Sequence, residues 1–308
     1  MSQPRIAVFA RSANGDAGPI RIISGHQTNL SRTIHGIAYD PSHDEMVVPN
    51  PLAAAAVWFK GGASGEVPPL RVVQGPRTQL MRPETVAIDA KHDELVVGDP
   101  AARAVMVYRR DANGDMAPLR VLQGPRTKLH QVVGVAVDPG RDLIVVSTYS
   151  RAQGGITGLL VFNRTDNGDV APRAIIGGPQ TGILRLRQIA VDPGAGKIFA
   201  AVINNEYLPP YELDVPRKGL SRDIDLPSPW TTAGTQGFIG IWDITDKGDV
   251  PPKAIIKGPA SGIIHPAGVA VNPKDGEVYA PDSVRNSLSS FFVPEFFRGL
   301  NREMSRGN

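Results

Sequence analysis

Seven polar residues stand just ahead of a short recurring apolar run: His35, Arg82, Glu84, Gln131, Arg185, Arg187 and His265. A second set, Asn50, Asp99, Thr148, Asn204 and Asp282, follows another recurring run. Both sets change identity from copy to copy, and on a repeating framework function sits in what is grafted onto the repeat. Two imidazoles, three guanidiniums, carboxylates and amides together could hold a metal ion or an anionic ligand. The plainer reading is favoured: such loop mouths are wet and polar by default, and Asp or Asn after a strand often caps a turn.

Other constellations also have a plain reading. Asp111-Ala112-Asn113-Gly114-Asp115 clusters oxygens in the manner of a calcium loop, but no carboxylate follows at the expected place. Asn-Gly is the favoured hairpin turn, and that reading is preferred. Asp40, Asp89, Asp138 and Asp192 end equivalent strands, which marks a turn device more than a catalyst. The histidines are His26, His35, His43, His92, His130 and His265, scattered along the chain, with His43 and His92 in matching turns. Zinc needs three or four converging ligands, so zinc is disfavoured. No Gly-x-Ser-x-Gly elbow is present.

The elements that must position these residues repeat. Asn14-Gly15-Asp16 with Pro19-Ile20-Arg21-Ile22-Ile23-Ser24-Gly25 returns near Glu66, Asp115, Asp169 and Asp249. Asp40 to Asp89 is 49 residues, and Asp89 to Asp138 is again 49. Within each period lie four short runs rich in β-branched residues and bounded by Gly, Pro, Asn or Asp, each reading as a strand. Four strands in such a period make a propeller blade, and continuous hydrophobicity follows because neighbouring blades cover both faces. The expected fold is a single all-β propeller over 1–293 with four-stranded blades, five in number, six being the alternative. Third-strand patterns at both ends, Ile6-Ala7-Val8-Phe9 and Leu288-Ser289-Ser290-Phe291-Phe292, predict a closing blade shared by the two termini.

Gly134-Val-Ala-Val-Asp-Pro139, Val278-Tyr-Ala-Pro-Asp-Ser283 and the turn and strand from Asn113 to Arg120 resemble NHL-repeat and lactonase-like (YncE-type) β-propellers. The resemblance implies that the first strand of each blade lines a central channel. The loops entering it and those leaving the second strand would then share one ligand face. It also implies an alternative activity, a metal-dependent hydrolase of the lactonase or esterase kind. Calcium or another divalent cation at the channel mouth would polarise a carbonyl and activate water, with Asn50, Glu84, Asp99, Asn204 and Asp282 as ligands and His35 or His265 as proton carrier.

Two segments break the period. The insertion 204–236 separates the second and third strands of one blade and should hang over the ligand face. Its Tyr207, Tyr211, Arg217, Arg222 and Trp230 suit a protein interface, where aromatics and arginine serve as anchors. The tail 294–308 places Phe296, Leu300 and Met304 at i, i+4, i+8, which predicts a short helix docking on the propeller. Absence of cysteine excludes disulfides and thiolate chemistry. A net charge of +3, spread evenly, gives no nucleic-acid footprint, and no apolar run approaches a bilayer span of roughly 20 residues. No signal peptide is apparent at the start of the chain, so a soluble, cytoplasmic protein is the default expectation. The favoured function is non-catalytic: a platform without a cofactor, binding a protein or small ligand on the insertion-bearing face.

Overall fold

The structure, a computed structural model, describes residues 4–32, 34–150, 155–203 and 237–297. It divides into two compact units, Met1–Ile175 and Ile176–Asn308. In the first unit, β1 (Arg5–Val8) pairs with β2 (Arg21–Ser24) as a two-stranded ribbon. Three four-stranded sheets follow. The first is β3 (Ala38–Asp40), β4 (Glu45–Asn50), β5 (Ala55–Lys60) and β6 (Arg71–Gln74). The next is β7 (Thr85–Asp89), β8 (Glu94–Asp99), β9 (Ala104–Arg109) and β10 (Arg120–Gln123). The third is β11 (Gln131–Asp138), β12 (Leu143–Tyr149), β13 (Gly158–Asn163) and β14 (Ala174–Ile176), which ends on the first residue of the second unit.

The second unit holds β15 (Arg185–Asp192), β16 (Lys197–Ile203), β17 (Phe238–Asp243) and β18 (Ala254–Ile256). A three-stranded sheet, β19 (Ala270–Asn272), β20 (Glu277–Asp282) and β21 (Ser287–Phe292), completes it. Each sheet runs in sequence order through antiparallel neighbours. Five successive up-and-down sheets of three or four strands are the blades of an all-β propeller.

The runs fold this way because both faces of a blade are covered. Strands β4 and β8 are buried at every position, Glu45, Asn50, Glu94 and Asp99 included. Val47, Trp58, Leu95, Val97 and Met106 share one core cluster, and Val96, Leu122, Val146 and Phe162 share the next. In the second unit Phe199, Ile241, Val278 and Phe297 pack together, with the Phe199 and Phe297 rings stacked 5.4 Å apart. The described part of the tail is therefore the 3-10 turn Pro294–Phe296 and a fully buried Phe297; residues 298–308, with Leu300 and Met304, lie outside the described residues.

Recurring polar latches set the turns. Asp40 and Asp89 accept backbone amides two residues on and hold the rings of His43 and His92 at 2.7 Å, while Asp138 holds Arg141. Buried Glu45 receives two bonds from Arg71 and one from Arg110, the latter carried by the next sheet. Glu94 repeats the arrangement with Arg120 and Arg164. A buried carboxylate is tolerable when paired in this way.

The Asn-Gly-Asp cassettes make a further latch. Asp115 accepts the amide of Arg77 and Asp169 that of Arg126, both at 2.7 Å, as Asp249 does for Gln180; Glu66 serves Gln27 at 3.0 Å. Each carboxylate thus caps a 3-10 turn belonging to the preceding repeat. Within each such turn a buried threonine hydroxyl donates back to the glycine carbonyl and accepts an amide two residues on, as Thr127 does with Gly124 and Leu129.

Candidate functional site

The residues leaving the second strands are tied to backbone. Asp99, with no exposed surface, accepts the amides of Met81 and Arg82 on one oxygen at 2.7 Å and those of Ala101 and Ala102 on the other at 3.0 Å. Asp282 does the same for Ile264, His265, Val284 and Arg285. Asn50 donates to the Asn29 carbonyl and accepts from Ala53, and Thr148 accepts the amide of His130. Four amide bonds occupy the lone pairs of each aspartate, so these carboxylates do not fit as ligands of a divalent cation. Among the described residues no three His, Asp or Glu side chains form a group that could hold a metal ion. Asn204 lies outside the described residues.

Of the residues ahead of the first strands, three come together. Glu84, largely buried, lies 3.5 Å from His35 and 3.3 Å from Arg82. The approach is close because Gly36 sits against the backbone of Glu84 and Thr85, where an added Cβ would come within 3.1 Å. Gln131 is exposed at the start of β11 opposite Tyr149. Arg185 and Arg187 are half-buried in β15, and His265 holds Ser283 through its ring. Tyr207, Tyr211, Arg217, Arg222 and Trp230 lie outside the described residues.

A cleft of about 550 Å³ opens in the first unit, lined by the turns β8–β9 and β10–β11 and by Gly155 and Ile156 of the β12–β13 connection. These are second-strand exits and a first-strand approach, the loop classes expected to carry a ligand. Hydrogen bonds tie the scaffold together: Gln123 donates its amide to the Ala102 carbonyl, and the Thr127 hydroxyl accepts the Leu129 amide. Arg103 and Lys128 both stand at left-handed positions, φ 50° and 60°, and are exposed. His130 is half-buried between them and the wall. Burial first, and then the charges of Arg103 and Lys128, hold its imidazole below the ordinary value of 6.5. Pro125, Leu129 and Ile156 supply apolar surface, and among the described residues that line the cleft none is acidic.

The preceding repeat builds the same scaffold with different side chains. Gln74 donates to the Ala53 carbonyl as Gln123 does to Ala102, and Thr78 repeats the hydroxyl latch. At the registers of Arg103, Lys128 and His130 it carries Ala54, Gln79 and Met81, with φ of 49° and 62° at the first two. Reading single strands missed this site. Aligning the two copies at their 49-residue offset exposes three neutral-to-basic changes that converge on one cleft.

Among solved structures, the chain is similar to Kuenenia stuttgartiensis hydrazine synthase, with a TM-score of 0.52 and 10% identity over 82% of this chain. The fold is a β-propeller. This chain spans about half, 56%, of the length of that protein, and at such identity the likeness concerns the fold alone. No protein-family model matches the chain, and no curated protein matches it. Among the described residues no helix is long and apolar enough to cross a membrane.

Proposed function

We propose that the protein is a non-catalytic binding platform that engages its ligand through the loops at the second-strand exits. The observation carrying this reading is the contrast between a latched backbone that repeats and side chains on it that do not, with Arg103, Lys128 and His130 gathered at one cleft. The insertion 204–236 occupies the corresponding connection, between β16 and β17, and belongs to the same reading as a protein-binding loop. Two of the carboxylates that a hydrolytic metal would need, Asp99 and Asp282, are committed to backbone amides, which supports binding over catalysis.

The test is capture on immobilised full-length protein, compared with a 205–235 deletion and with Arg103→Ala/Lys128→Gln. Capture lost in either variant, with the thermal midpoint of unfolding preserved, is expected. Cation-dependent turnover of esters or lactones by the wild type would replace binding with catalysis.

A further inference from the structure

The geometry points to the cleft between the β8–β9 turn, the β10–β11 turn and Ile156 as a binding site for a small organic anion, a carboxylate or phosphate on a short apolar body. This rests on the platform reading and names its ligand class. The volume, about 550 Å³, falls in the range of small-molecule pockets, roughly 300–1,000 Å³. Arg103 and Lys128 are placed by left-handed backbone, and neither carries an ion pair within the described structure. With no acid among the described lining residues, Arg103 and Lys128 set positive charge beside His130 that an incoming anion would offset. Leu129, Pro125 and Ile156 give an apolar body something to cover, so a bare inorganic ion would leave part of the cleft unfilled.

The site is prepared rather than assembled on binding. Gln123, Thr127 and Thr148 fix the backbone on both sides of His130, so little loop ordering opposes association. His130 faces Arg103 from the β8–β9 turn and Lys128 from its own turn. An anion beside it favours the imidazolium, so binding takes up a proton at His130 and that contribution strengthens as pH falls. Exposure of Arg103 and Lys128 makes the affinity sensitive to added salt.

The test uses the full chain and isothermal titration with phenyl phosphate, benzoate, inorganic phosphate and benzylamine. Arg103→Ala, Lys128→Gln and His130→Met each install the residue that the preceding repeat already carries at that register, and Lys128→Arg retains the charge. Phenyl phosphate or benzoate should bind the wild type and Lys128→Arg, with Kd weakened roughly tenfold or more for each cation removed. No binding of either anion, or equal binding by the folded Arg103→Ala/Lys128→Gln variant, overturns the site. Inorganic phosphate or benzylamine binding as tightly as phenyl phosphate overturns the ligand class. Binding of an oligoglutamate peptide with none by the small anions overturns it in favour of an acidic protein segment. Capture that depends on 205–235 without any anion binding would sink the cleft and leave the platform standing.

Discussion

Two carboxylates show how a residue's environment decides its work. Asp99 spends four hydrogen bonds on the β6–β7 and β8–β9 loops, and Tyr108, buried near it, donates its hydroxyl to the Thr78 carbonyl. Burial, with a smaller push from Asp99, raises the Tyr108 pKa far above the ordinary phenol. In Asp99→Asn one acceptor oxygen becomes an NH2 group aimed at two amide donors. The expected loss is about 1–3 kcal/mol, read from the urea midpoint with an unchanged m-value. Glu45 behaves differently because its partners are charged. The Arg71 hydrogen bonds, followed by the fields of Arg71, Arg110 and Lys60, outweigh burial and hold its carboxyl below the ordinary 4.5. A depressed folded pKa means stability that is present above 4.5 and lost as pH falls through the lower folded value. Wild type should therefore lose more stability than Glu45→Gln between about pH 6 and pH 3. Parallel acid profiles of the two proteins would remove Glu45 from that role.

At the scale of the element, the strands were legible and the latches between them were not. Runs such as Leu95-Val96-Val97 and Leu159-Leu160-Val161 announce strands because both faces are apolar, and a 49-residue spacing announces blades. The Asn-Gly-Asp cassette reads as a hairpin turn, but its aspartate caps a turn some forty residues earlier, a pairing that no local pattern encodes. The signal was the glycine opposite it. Gly124 has φ 128°, and a Cβ there would sit 2.5 Å from the Asp169 carboxyl carbon. Gly124→Ala should thus destabilise by more than the roughly 1 kcal/mol of the backbone conformation alone. Asp169→Gly removes the obstacle, the Asp169 Cβ included, which would itself lie 2.7 Å from the added Cβ, so the double variant should lose less than the sum of the two single losses. Strict additivity in urea unfolding would contradict the latch.

Across the whole molecule, the proposed platform would assign stability and recognition to different residues. Turn aspartates, threonine hydroxyls and clamped glutamates recur and carry the framework, so the repeat was easy to read and said little of function. The expected ligand-face residues follow from single strands. Of these, His35, Arg82 and Glu84 meet, Asp99 and Asp282 turn out to be structural caps, and Arg103, Lys128 and His130 needed a copy-to-copy comparison to be seen. The central claim is that binding falls on the divergent loops and spares the recurring aspartate turns between the first and second strands. Hydrogen–deuterium exchange of the full chain with and without saturating phenyl phosphate tests it directly. Slower exchange confined to residues 99–104, 123–131 and 155–157 is the predicted result. Equal slowing at the recurring turns 40–45, 89–94 and 138–143, or no change anywhere, would contradict it.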